Sequence, residues 1–228
     1  MSIIIPHRFL SRLLPEENVS FINTVVIGTF NPGHPNLLRL TESEKQLFGK
    51  ISTSKKFLKF CQVKNFYDRP QNRFWKIMDI ISNPEFYSEK SLKTRNPNGI
   101  KYYAKMDRMK IFENQNSFCA QHGLMITDIV RQIEPTTFNS IYDNFPDKII
   151  ENSKCAWNTQ GILNLIEKYQ PKRIIVNFSL SKAIPKISME IRKIQTAYKG
   201  KVFYVLSTSG AAGNSYEILL NNWKPYIS

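Results

Sequence analysis

Asn31 and His34 stand three residues apart in one turn, inside residues 25–36, VVIGTFNPGHPN. An amide cannot deprotonate water at neutral pH, but its carbonyl can accept a water hydrogen and aim the oxygen. An imidazole can gain or lose a proton near neutrality. Pro32 and Gly33 between them fix the backbone and let it approach a partner closely. A second amide, Asn72, lies in YDRPQNRFW, five residues after Tyr67. Asn177 follows the apolar run RIIV, and Ser207, Thr208, Ser209 and Gly210 follow KVFYVL. Thr127 and Asp128 close GLMITD in the same way. Taken singly, each is explained by turn and cap chemistry. Together they form a rim of amides, hydroxyls and glycines that suits a neutral, hydrogen-bonding ligand such as a nucleobase.

Several chemistries are excluded. GTFNPG has the wrong glycine spacing for a dinucleotide fingerprint, and no Gly-Lys-Ser/Thr follows it. No G-x-S-x-G elbow occurs. His7, His34 and His122 lack metal-ligand spacing; His7 and His122 read as structural hydrogen-bonders, while His34 stays open between a structural and a functional role. Cys61, Cys119 and Cys155 are three scattered thiols without a CxxC pair, which argues against a disulfide framework and for a reducing compartment. No metal and no cofactor are expected.

Elements must carry this rim. Residues 25–30 read as a buried strand, residues 123–130 as a strand and its exit, and 173–178 and 201–206 as two more strands. Phe74, Ile77, Met78 and Ile81 fall at helical spacing behind Asn72. Residues 159–169 are helical by spacing, 181–194 read as a helix interrupted by Pro185, and 216–223 as a closing helix. The alternation predicts a three-layer α/β/α domain over residues 1–228, around a mainly parallel four-stranded sheet. Two basic, aromatic stretches, 41–64 and 88–118, break the rhythm and read as helical or irregular insertions.

The chain has 228 residues, 42% hydrophobic, with a net charge of +14. That excess points first to a nucleic-acid partner and second to an anionic surface. The opening MSIIIPHRFL is too short in its apolar run for a signal peptide or a membrane span, so a cytoplasmic monomer without a membrane partner is expected.

The order GTFNPGH, YDRPQNRFW, HGLMITDIV, YQPKRIIVNF, VLSTSG resembles the uracil-DNA glycosylase superfamily. It is most similar to the mismatch-specific uracil/thymine-DNA glycosylases and the hypoxanthine-DNA glycosylases. The resemblance implies a DNA repair enzyme that flips uracil or a related deaminated base and hydrolyses its N-glycosidic bond without a lyase step. Its DNA would be double-stranded, with single strands left open. It implies that Asn31 positions the attacking water, that Asn72 is a second functional amide, and that Tyr67 stacks on the base. Gly28, Thr29, Phe30, Pro32, Gly33, His34 and Asn177 would complete the base pocket. Main-chain N–H groups of Thr29, Phe30 and Gly33 would serve as donors to the departing base. Ser207 to Gly210 would enter the minor groove. Departures exist: Leu206 stands where relatives usually have Pro or His, Gly210 replaces a frequent Pro, and GTFNPG is one residue longer than the mismatch-specific pattern. They motivate a second reading, a catalytically inactive nucleic-acid-binding protein on the same fold. A nucleoside hydrolase is a third.

Overall fold

The computed structural model describes residues 3–11, 14–15, 19, 21–63, 65–69, 71–100, 111–136, 148–178 and 184–227. Its elements in order are β1 (Ile5–Pro6), β2 (Thr24–Gly28), α1 (Glu42–Ser52), α2 (Lys55–Cys61), α3 (Phe74–Ser82), α4 (Glu89–Leu92) and α5 (Ile111–Gln121). Then follow β3 (Leu124–Asp128), β4 (Val130–Glu134), α6 (Lys148–Glu151), β5 (Lys154–Trp157), α7 (Thr159–Tyr169), β6 (Arg173–Val176), α8 (Pro185–Ala197), β7 (Lys201–Tyr204) and α9 (Tyr216–Ile227).

The central sheet is four-stranded, in the order β3-β2-β6-β7, and every pair is parallel. β2 and β3 are buried at every position, which is why both read as continuous apolar runs. The two-residue period divides their side chains between two cores. Val25, Ile27, Met125, Ile174 and Val176 pack with Ile162 of α7 and Ile187, Ile191 and Ile194 of α8. Val26, Leu124, Ile126 and Ile175 pack with Phe74 and Ile77 of α3 and Leu219 and Trp223 of α9. Helices therefore cover both faces, giving the three-layer α/β/α arrangement that the sequence predicts.

The chain leaves β2 toward β3 on one side and passes from β6 to β7 on the other. The strand order reverses beside β2. A ligand crevice in such a sheet lies beyond the carboxyl ends at that point.

A second sheet is new to the reading of the sequence. It is antiparallel, in the order β1-β4-β5. Residues 123–130 hold β3 and its exit as read, but the chain breaks at Ile129 and starts β4 at Val130, a strand the sequence reading did not include. The helix over 181–194 is also corrected. α8 begins at Pro185, where a missing N–H costs nothing, so the proline starts the helix and does not interrupt it. Residues 181–183 of that expectation lie outside the described residues.

The two stretches read as insertions both contribute to the cores. α1, capped by Thr41 and Glu44, buries Phe48, and α2 buries Phe57. In the second, α4 precedes residues 101–110, which lie outside the described set, and α5 buries Gln115 and Cys119. Among the described residues, no helix is long and apolar enough to cross a membrane.

Candidate functional site

The strand register sets the site. Gly28 at the end of β2 pairs with Asp128 at the end of β3. On the other side, the Asn177 N–H donates to Ile27 O at 2.9 Å, which seats Asn177 at the end of β6. The first loop is held by the N-terminal segment. Arg8 N donates to Asn31 O at 2.8 Å, and Gly33 N donates to Pro6 O at 2.7 Å. A Cβ on Gly33 would stand 2.8 Å from Pro6 O, so only glycine permits this approach. The Gly33 N–H, expected as a donor to a departing base, is therefore committed to Pro6.

Asp128 is the centre. Its side chain is 1% exposed, and its Oδ2 accepts from His7 Nε2 and from Asn31 Nδ2, each at 2.7 Å. His7 Nδ1 accepts from the N–H groups of Phe9 at 2.9 Å and Leu10 at 3.1 Å. The ring proton must then sit on Nε2, where it is donated to Asp128. A carboxylate only accepts, so Asn31 turns its NH2 toward it and leaves its Oδ1 for a water or ligand. Asp128 thus decides which way the Asn31 amide faces.

Tyr67 lies beside this group. Its φ of 59° is in the left-handed region, an uncommon place for a bulky side chain. Its ring packs on Phe74 at 4.6 Å between centroids. Burial, then the Asp128 charge, push its phenol well above the ordinary value, with the Asn177 side chain opposing them. A Cβ on Gly28 would stand 2.3 Å from both Tyr67 Oη and Asp128 Oδ1. Those two oxygens are shielded from solvent and have no hydrogen-bond partner of good geometry among the described residues. The two buried oxygens lie directly against the end of β2, where only glycine leaves them room. Arg69 is close to this charge: burial lowers its pKa, Asp128 opposes the shift, and Arg8 adds to it.

The last loop is tied to the same end. Asn177 Nδ2 donates to Thr208 Oγ1 at 3.2 Å, and Thr208 N donates back to Asn177 Oδ1 at 3.3 Å. Thr208 O accepts from Arg73 N at 2.9 Å. The Arg73 side chain, fully buried, donates to Ser209 O at 2.8 Å and to Asn214 O. A Cβ on Gly210 would stand 2.7 Å from Gln71 O. The YDRPQNRFW and STSG segments are therefore docked on one another, with Arg73 as the clamp.

The structure brings Gly28, Asn31, Tyr67, Asn177 and Thr208 into one connected group around Asp128. Phe30 and Pro32 are buried behind it, Phe30 with its ring 5.4 Å from that of His7. Thr29 contributes its carbonyl to Val130 N at 3.1 Å. Asn72 is not the N-cap of α3, a position held by Arg73 without a side-chain cap bond; its Oδ1 accepts from Phe74 N at 2.9 Å, a local turn that leads into the helix. Ser207 is half-buried, with its Oγ accepting from Ser209 N at 3.2 Å, and Ser209 is exposed. His34 is the outlier. It is exposed and turned to Phe57, with ring centroids 5.4 Å apart, and its Nε2 is 3.9 Å from Cys61 Sγ. Burial, then Arg8, lower its pKa. His122 is structural as expected, with Nδ1 donating to Ile227 O at 3.2 Å.

Sequence reasoning placed Asp128 on the rim and read His7 as a structural hydrogen-bonder without joining the two, and it passed over Arg73. One signal was present: a carboxylate ending a strand as buried as LMITD needs a paired donor. The pairing with His7, 121 residues away, leaves no local mark. Among the described residues, no three His, Cys, Asp or Glu side chains converge to hold a metal ion. No protein-family model matches the chain, and no curated protein matches it.

Proposed function

We propose that the protein is a DNA N-glycosylase of the uracil-DNA glycosylase type, releasing uracil or a related deaminated base by hydrolysis. The carrying observation is the Asp128 carboxylate held against the Asn31 amide at 2.7 Å, at the carboxyl ends of a parallel sheet. The motif order that resembles the superfamily and the net charge of +14 support the same reading.

In this reading Asn31 Oδ1 accepts a water hydrogen and aims the water at the sugar carbon, with its rotamer fixed by Asp128. A glycosidic bond that breaks before attack leaves positive charge on the sugar and negative charge on the base. The Asp128 carboxylate offsets the first, and the Tyr67 hydroxyl donates to the second. The loop clamped by Arg73 braces the duplex while the base is out of the stack. The N-glycosidic bond breaks, water oxygen joins the sugar carbon, and the water proton goes to the base. Because Asp128 Oδ1 and Tyr67 Oη are sealed, the base reaches them only after the surrounding loops part.

That sealing also favours a second reading, a nucleic-acid-binding protein that releases no base. Strand cleavage after alkali separates the two. Labelled duplexes would carry uracil, hypoxanthine, xanthine or mismatched thymine. The glycosylase reading expects cleavage on at least one, lowered about 100-fold or more by Asn31→Ala, in line with loss of an oriented group. No cleavage on any duplex, with DNA still bound, selects the binding protein.

A further inference from the structure

A cleft of about 600 Å3 opens at the opposite end of the sheet, lined by Lys172, Arg173, Lys199, Gly200, Lys201 and Phe203. Arg173 and Lys201 are the first residues of β6 and β7. The rim at Asn177 lies four residues further on, about 13 Å along the strand. No carboxylate lines the cleft among the described residues.

The scaffold behind these cations is fixed. Lys172 N and Arg173 N both donate to Asn23 O, at 2.9 and 3.2 Å. Tyr198 Oη donates to Pro171 O at 2.7 Å, tying the two loops that precede β6 and β7. A Cβ on Gly200 would stand 2.2 Å from Tyr198 Oη, so the backbone there lies directly on the phenol. Phe203 forms a wall, stacked on Tyr226 at 4.6 Å between centroids.

One feature argues against a merely solvated face. Arg173 and Lys201 are register partners on neighbouring strands, on the same face of the sheet. Like charges side by side on neighbouring strands repel, weakly where water screens them. The Arg173 guanidinium donates to a carbonyl, Pro225 O at 3.4 Å, which does not cancel its charge. An anion seated between them relieves the repulsion.

We infer that this cleft is a second nucleic-acid contact, in which the cations neutralise backbone phosphates and Phe203 offers an aromatic edge. The polymer fits better than a small anion because the four cations come from two loops and two strands around a cleft of about 600 Å3, more room than one small anion fills. The two ends of the strands face opposite ways, so a straight duplex on the rim leaves this cleft free for another segment. The inference does not need base release.

The test is a binding titration with an undamaged duplex of about one helical turn, read by analytical ultracentrifugation and fluorescence anisotropy. Wild type is compared with Lys199→Gln/Lys201→Gln and with the charge-reversed Lys199→Glu/Lys201→Glu. Thermal melts check that both variants fold. The expected result is one fewer duplex bound in each variant, whatever the rim holds. The slope of log K against log salt falls by about 1.8, or about 0.9 for each of two phosphates. Affinity at this contact drops tenfold or more. Unchanged stoichiometry and slope overturn the inference. Displacement by inorganic phosphate at constant ionic strength overturns it in favour of a small-anion site. Loss of binding to vesicles with anionic lipid, with duplex binding intact, overturns it in favour of a membrane surface. Absent base release in wild type leaves each of these outcomes readable, so failure of the glycosylase reading is distinguishable.

Discussion

At the carboxyl ends of β2, β3 and β6, one carboxylate is sealed from solvent and holds two donors at 2.7 Å. At the amino ends of β6 and β7, four cations stand around an open cleft without a carboxylate among them. The same sheet carries both. The first group is costly to bury and therefore fully specified: each hydrogen bond fixes the next, from Phe9 N through His7 and Asp128 to Asn31. The second is cheap, because solvated lysines need no partner in the fold. Geometry for chemistry requires the first kind of construction, while attraction for a polyanion needs only the second.

This contrast is broken most severely at Asp128. Asp128→Ala leaves the buried His7 donor unpaired, at about 1–3 kcal/mol, and frees the half-buried Asn31 amide at a smaller cost. Denaturant unfolding is expected to show the sum, and base release to vanish with the Asn31 rotamer. Arg73→Met comes next. It removes two charge-assisted bonds to the carbonyls of Ser209 and Asn214, worth about 1.5–3 kcal/mol each before the methionine repacks. Limited proteolysis is expected to cut within residues 207–214 in the variant alone. Gly28→Ala is milder in stability, about 1–3 kcal/mol for overpacking against Tyr67 and Asp128. It is expected to lower base release about 100-fold with DNA affinity intact, because the displaced atoms belong to the pocket. Lys199→Gln/Lys201→Gln closes the series. Its stability change is expected within about 0.5 kcal/mol, since the side chains are solvated, and only its salt-dependent binding moves. A variant at Lys199 or Lys201 as destabilising as Asp128→Ala would erase the contrast.

The parallel sheet was legible because its strands carry short apolar runs, at residues 25–27, 124–126 and 174–176, and the helices between them keep the 3.6 period through Ile162, Ile187, Ile191 and Ile194. The rim was legible because turn residues must follow buried strands, which placed Asn31, Asn177 and Thr208 correctly at one end. The small antiparallel sheet was not. β1 is two residues long and β5 is only partly buried, so neither carries a pattern. His34 shows the limit of reading a loop as a unit: adjacent residues in a turn point apart, and its ring joined the aromatics of α1 and α2. Asn72 was read as a functional amide and as a helix cap; the cap position fell to Arg73, and Asn72 instead closes the turn before it. Asp128 was seen at a strand end, yet its importance comes from His7, and a contact across 121 residues is written only in three dimensions.

The most direct measurement is chromatographic detection of free base released from a uracil-containing duplex and from free deoxyuridine, by wild type and Asn31→Ala, with hypoxanthine, xanthine and mismatched thymine substrates alongside. The account expects release from at least one duplex, none from the nucleoside, and a collapse in Asn31→Ala with duplex affinity unchanged. Release that is equal in Asn31→Ala and wild type would contradict the role given to the Asn31–Asp128 pair, and no release from any duplex would contradict the glycosylase itself.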